Sequence, residues 1–193
     1  IIYEDDGGIF STADEIKEII EALGKTFVVK DLGKMETFVG CQIIENEERD
    51  TIWLHQPKLI KHLKEEFGDL VANLKPVKTP AAPRTNISRP QKGDTLISAT
   101  DQSKFRSGVG MLLYLVKHSR MDIANAVREL SKVADGANHA HWKALLRTIK
   151  YVICTENLSL RLKPNILTQG AQFHLSGISD SDYAGDKDTR TSV

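Results

Sequence analysis

Four of the six prolines, Pro76, Pro80, Pro83 and Pro90, fall within residues 74–100. Proline has no amide N–H, and its ring clashes with the preceding helical turn. No helix survives that spacing. The stretch therefore reads as a linker or long irregular connection, with Lys, Arg, Thr and Asn between the prolines. It divides the 193-residue chain into two parts with different patterning.

The first part mixes periods. Residues 1–10 alternate apolar residues, carboxylates and glycines, which predicts a β-hairpin with Gly7 and Gly8 easing the reversal. Thr12 with Glu15 three positions on makes a capping box. Ile16, Ile19, Ile20 and Leu23 then follow at helical spacing, and Gly24 ends the stripe. Short strands are expected at 26–29, 37–44 and 51–54, the last two flanking a polar turn at 45–50. Pro57 stands where a first helical turn tolerates it. Leu59, Ile60, Leu63 and Phe67 supply that helix's apolar stripe, and Gly68 is expected to close it.

The second part is helical from Asp101. Phe105, Val109, Leu112, Leu113 and Val116 form one stripe. Ile123, Val127 and Leu130 form a second, and Trp142, Leu145, Leu146, Ile149 and Val152 a third. Three amphipathic helices with short joins should pack on one another. Residues 158–162 and 173–178 read as strands. The whole is α+β in class.

Composition excludes several classes. A hydrophobic content of 40% with 27% charge is ordinary for a soluble globular protein. No apolar run approaches the ~18 residues of a membrane span, and the start lacks the basic region of a signal peptide. With no initiator Met, the chain is expected to begin mid-domain, inside a strand. Cys41 and Cys154 form no CxxC pair, so neither a zinc site nor a disulfide framework is indicated. Net charge is zero, but residues 1–72 carry 8 Lys/Arg against 16 Asp/Glu, and the remainder 18 against 10. An acidic half beside a basic half suits a chain that holds a metal and a phosphate backbone.

Two acidic clusters could carry chemistry. Asp5 and Asp6 sit together near a turn, and paired acids there can hold magnesium, which takes oxygen ligands. The plain alternative is a solvated turn, since Asp and Gly are common turn residues. Asp180, Asp182 and Asp186 form the second cluster, which alone reads as a solvated loop. His141-Trp142 reads as a packing pair at a helix start rather than a metal site, because His139 and His141 do not share a helix face.

The pattern Tyr3-Glu4-Asp5-Asp6 resembles the catalytic box of reverse transcriptases, and the segments after it resemble their copia-type retrotransposon branch. Phe27 through Gly33 is similar to that family's Phe-x-Met-Lys-Asp-Leu-Gly, and Phe38-Val39-Gly40 to its Phe-Leu-Gly. Leu54-His55-Gln56, Lys78-Thr79-Pro80, Ser107-Gly108-Val109-Gly110, Arg120-Met121-Asp122-Ile123 and His141-Trp142 continue the order. Ser179-Asp180-Ser181-Asp182-Tyr183-Ala184-Gly185-Asp186 closes it. The resemblance covers essentially the whole chain.

The resemblance implies an incomplete reverse-transcriptase palm over 1–56, with the catalytic hairpin and a primer-grip-like hairpin at 38–54. It implies a helical thumb and connection over 57–156, and the truncated start of a ribonuclease H-like domain over 157–193. Asp5 and Asp6 would be catalytic metal ligands for two Mg2+ ions, with a third acid expected upstream; Asp180 would be the first ribonuclease H acid and metal ligand. Tyr3, Phe38 and Gly40 would contact nucleic acid. The implied partners are an RNA template with its DNA primer, deoxynucleoside triphosphates and the rest of a Gag-Pol-like polyprotein. No membrane is implied; the implied setting is intracellular, in the cytoplasm or a virus-like particle. Glu4 replaces an apolar residue, Gly7-Gly8 replaces apolar strand residues, and Met121 replaces proline, which marks a partial or decayed copy. The rival readings are a catalytically dead nucleic-acid-binding remnant and an unrelated α+β domain.

Overall fold

The computed structural model describes residues 2–3, 6–9, 11–83, 85 and 87–163, with backbone alone for 2, 3, 6 and 7. Strands β1 (Ile2–Tyr3) and β2 (Asp6–Gly7) pair antiparallel. Helix α1 (Ala13–Gly24) follows. Strands β3 (Thr37–Phe38), β4 (Cys41–Glu45) and β5 (Ile52–His55) lead into helix α2 (Pro57–Ala72). Beyond the proline-rich stretch come α3 (Ala99–His118), a 3-10 turn (Met121–Ile123), α4 (Ala124–Ser131) and α5 (His139–Cys154). Strand β6 (Leu160–Leu162) returns to make an antiparallel sheet in the order β3-β4-β5-β6. The class is α+β.

The core lies among the helices. Ile60, Leu63, Phe67 and Val71 of α2 face Phe105, Val109, Leu112 and Leu115 of α3, Val127 and Leu130 of α4, and Leu145, Ile149 and Val152 of α5. Each fully buried side chain of this size stabilises by about 1.5–3 kcal/mol. Gly108 marks the closest approach: a Cβ there would stand 3.0 Å from Phe67 Cζ and 3.2 Å from Leu145 Cδ2.

Several expectations are corrected. Residues 26–29 form no strand, because no strand runs alongside them among the described residues to take their backbone hydrogen bonds. Residues 37–44 are two strands, not one. Val39 (φ 47°) and Gly40 (φ 71°) reverse the chain with both residues left-handed, the geometry of a tight hairpin turn. Gly68 does not close α2. The stripe continues to Val71, whose burial carries the helix past an internal glycine. In α3, Leu113 is exposed and Leu115 is buried in its place. The glycines are not at the tip of the first hairpin. Ile2 pairs with Gly7 and Tyr3 with Asp6, so Glu4 and Asp5 connect the strands.

The irregular segment is not a free linker. Ile87 and Ile97 are buried against the helices. Leu96 bridges Asn138, and Ile97 N donates to Ala137 O at 3.0 Å. Thr148 Oγ1 donates to Pro80 O at 3.1 Å. The prolines prevent a helix, but the segment straps the bundle. The expected strand at 173–178 lies outside the described residues.

Candidate nucleic-acid and metal site

The first hairpin follows from local chemistry. Ile2 and Tyr3 of β1 pair with Gly7 and Asp6 of β2, and the Tyr3–Asp6 register leaves two residues between the strands. Asp6 therefore starts the returning strand, opposite Tyr3. Asp5 itself lies outside the described residues, as does Asp180. Tyr3 and Asp6 are placed by their backbone only. Among the described residues no group of three or more His, Cys, Asp or Glu comes together to hold a metal.

The second pair of site residues lies in the other sheet. Phe38 is half-buried and pairs with Cys41. Gly40 takes the left-handed conformation that favours glycine. Tyr114 Oη, from α3, donates to Val39 O at 2.8 Å. A Cβ on Gly40 would be 3.5 Å from that oxygen, an ordinary contact, so the conformation rather than space calls for glycine. The turn is thus fixed to the helical region by one tyrosine. Tyr114 also stacks at a tilt on His118, ring centroids 4.5 Å apart.

Sequence reasoning missed the polar joint that ties these elements together. Arg120 is 1% exposed. Its Nε and Nη2 donate to the two oxygens of Asp122, each at 2.8 Å, while Nη1 and Nη2 donate to Thr155 O and Oγ1 at 3.2 and 2.7 Å. The guanidinium also lies 5.6 Å over the Tyr151 ring. Burial pushes the Asp122 carboxyl up, but the Arg120 hydrogen bonds and charge, with hydrogen bonds from Tyr151 and the backbone, together bring it below its ordinary value. Burial and Asp122 together raise the Tyr151 phenol. Nearby, buried Gln56 accepts from Ser119 Oγ at 2.7 Å, and His55 Nε2 contacts Glu156 O at 2.7 Å. Lys64 pairs with Glu156. The signal was an Arg-x-Asp between two helical stripes, a charged pair where the apolar pattern required burial.

His141 behaves as a helix-start residue. Asn138 N donates to its Nδ1 at 3.2 Å, and Asn138 Oδ1 accepts from Ala140 N and His141 N, a capping box with histidine in the third position. Burial lowers its pKa and favours the neutral ring that can accept.

The amino-acid sequence is similar along its whole length to one group of proteins. The chain belongs to the retrovirus-related Pol polyproteins of copia-type transposons. It is 32% identical over 172 residues to the Pol polyprotein of transposon TNT 1-94 from Nicotiana tabacum, covering 88% of this chain and 12% of that one. It is 33% identical over 197 residues to the Pol polyprotein of transposon RE1 from Arabidopsis thaliana, covering 100% of this chain and 12% of that one. An uncharacterized mitochondrial protein of Arabidopsis thaliana is 30% identical over 194 residues, covering 100% of this chain and 75% of that one. The chain thus spans about an eighth of the length of the transposon polyproteins it matches. No family model and no solved structure matches it. No described helix is long and apolar enough to cross a membrane.

Proposed function

We propose that the chain is the late palm, thumb and connection of an RNA-directed DNA polymerase, leading into a ribonuclease H-like domain. The observation that supports this is the antiparallel hairpin in which Tyr3 pairs with Asp6, the kind of strand pairing that the Tyr-x-Asp-Asp resemblance calls for. Carboxylate oxygens suit Mg2+, a hard cation. One hairpin supplies two carboxylates, and a site for two ions about 4 Å apart needs more. Asp5 and Asp6 would hold the ions with an acid from the rest of the polymerase, and the ions would stabilise the attacking and leaving oxygens of nucleotidyl transfer. Asp180 would serve ribonuclease H in the same way. Phe38 and Gly40 would steady the primer end, and Tyr3 would lie beside it. The substrates would be an RNA template with its DNA primer and deoxynucleoside triphosphates, in the cytoplasm or a virus-like particle.

Glu4 favours a second reading, a nucleic-acid-binding remnant without catalysis. A third negative charge beside the primer and nucleotide phosphates opposes their approach. The test joins this chain to the upstream polymerase segment of the tobacco relative and measures primer extension on an RNA template with magnesium. Extension that Asp5→Asn abolishes, and that Glu4→Val raises about tenfold, supports the polymerase reading; ~1.4 kcal/mol of relieved repulsion is enough for that factor. No extension even with Glu4→Val, alongside retained binding of the hybrid, selects the remnant.

A further inference from the structure

A cleft of about 210 Å³ lies between α4, α5 and the proline-rich strap. Its walls are small and apolar, with Ala81, Ala82, Ala126 and Ala144 among them. Lys143 and Arg147 also line it, one turn apart on α5 and so on the same edge of that helix. The lining carboxylate, Glu129, is already engaged. Its Oε2 accepts from Ile87 N at 3.1 Å, and its Oε1 lies 2.8 Å from Lys132 Nζ and 3.3 Å from Arg128 Nη2. Two cations answer that single charge, which leaves Lys143 and Arg147 unopposed among the described residues.

Arg147 adds an independent observation. Its Nη2 donates to Thr79 Oγ1 at 3.0 Å, but its Nε is buried with no acceptor among the described residues. A buried donor without an acceptor is unfavourable, which marks the Arg147 guanidinium as under-satisfied where that residue lines the cleft.

We propose that this cleft is a phosphate subsite for one nucleotide of a nucleic-acid strand, with the phosphate on Lys143 and Arg147 and the sugar against the alanine wall. The inference rests on the reading of the chain as a polymerase segment. The described lining residues include no aromatic ring on which a base could stack, so the contact is indifferent to sequence. They lie on helices and on the strap and offer no strand edge for a peptide backbone. The guanidinium fork matches phosphate geometry, and the net positive charge of residues 73–193 draws a polyanion toward it.

The test measures fluorescence anisotropy of a short fluorescein-labelled oligo(dT) with the full 193-residue chain across a salt series. Lys143→Gln removes a charge at an exposed position. Ala82→Trp fills the cleft and leaves the charge intact. Lys61→Gln, on the exposed face of α2, is the control. Lys143→Gln and Ala82→Trp should each weaken binding about tenfold, the scale of one charge-assisted contact. Lys143→Gln should also reduce the logarithmic salt slope by about 0.7. Lys61→Gln should change affinity less than about twofold. Unchanged melting temperatures would show that the variants fold. If Lys143→Gln weakens binding no more than Lys61→Gln does, the subsite is overturned while the polymerase reading stands. If poly-glutamate competes as well as oligo(dT) at equal charge, the ligand is an acidic peptide and the nucleotide assignment is overturned. If the parent chain binds no oligonucleotide even at low salt, both readings fall together.

Discussion

The helical region and the first fifty-six residues are held by different forces. Among the described residues, Cys41 is the only buried apolar side chain before Ile60, whereas α2 to α5 enclose a continuous core. Helix α1 has a sound capping box and a regular apolar stripe, yet none of its residues is fully buried. Ile19 and Leu23 are each 40% exposed, and Val28 is wholly exposed. Local pattern therefore sets a helix's shape, but stability comes from the surface opposite it. The sheet stands between these cases. Its residues are mostly half-buried, and polar contacts at its ends fasten it to the helices.

The largest test of this contrast removes core volume. Phe105→Ala should cost about 3–5 kcal/mol, because the ring is fully buried among α2, α4 and α5. Leu23→Ala on α1 should change stability by less than ~0.5 kcal/mol. Urea unfolding of the two variants checks both. Comparable losses would mean that α1 has a partner surface in solution, and the contrast would fail.

The Arg120 joint sharpens the comparison from the polar side. Arg120→Met removes the cation and leaves Asp122 half-buried and Thr155 without its donor. Breaking a buried pair in this way should cost about 3 kcal/mol or more. The double variant Arg120→Met/Asp122→Leu should recover part of that, since no uncompensated charge remains. If the double variant is as unstable as the single one, the hydrogen bonds to Thr155 carry the joint and the ion pair does not.

These tests also show why the sequence revealed some features and hid others. The stripes of α2, α4 and α5 were legible because periodicity and burial agree there. Leu113 and Leu115 both stand within a residue of the α3 stripe, and packing of the helices buries Leu115 and leaves Leu113 exposed. The 26–29 strand was misread because β-propensity names a residue that fits a sheet, not a sheet that is present. Val39 was read as a strand residue because a β-branched residue at positive φ is rare, and the Tyr114 hydrogen bond helps hold it there. The acidic pair was legible as a turn, but a metal site needs side chains from distant segments, which spacing does not give. The cleft with Lys143 and Arg147 was invisible because its other wall is the proline-rich strap, whose folding back leaves no periodic signal.

Gly108→Ala is a smaller test of the helical region. An added methyl meets Phe67 Cζ at 3.0 Å and Leu145 Cδ2 at 3.2 Å. Overpacking costs about 1–3 kcal/mol, against ~1 kcal/mol gained from helix propensity. A net loss of about 1 kcal/mol is expected in thermal unfolding. A net gain would show that α3 can move off α2, and that the core is less closed than the contacts indicate.

The smallest expected effect concerns the sheet, and it turns on pH. Asp50 lies in the loop between β4 and β5, and Lys163, just past β6, reaches it at 2.8 Å. Hydrogen bonds from Lys163, then Thr51 and Asn46, lower its pKa from 3.8 to about 2. Because the folded value lies below the unfolded one, the carboxylate favours the folded state fully above pH 3.8, and that contribution is lost as the pH falls to about 2. Asp50→Asn should therefore lower the melting temperature slightly near neutral pH, with the gap closing across that acid window. The pair is exposed on the Lys163 side, so added salt should narrow the gap as well. Apolar burial in the helical core does not titrate, so pH dependence there comes from its shifted polar groups, Asp122 and His141. A gap that stayed constant from neutral pH down to about 2 would mean that Asp50 acts through loop geometry alone, and that the sheet does not depend on charge where it rejoins the chain.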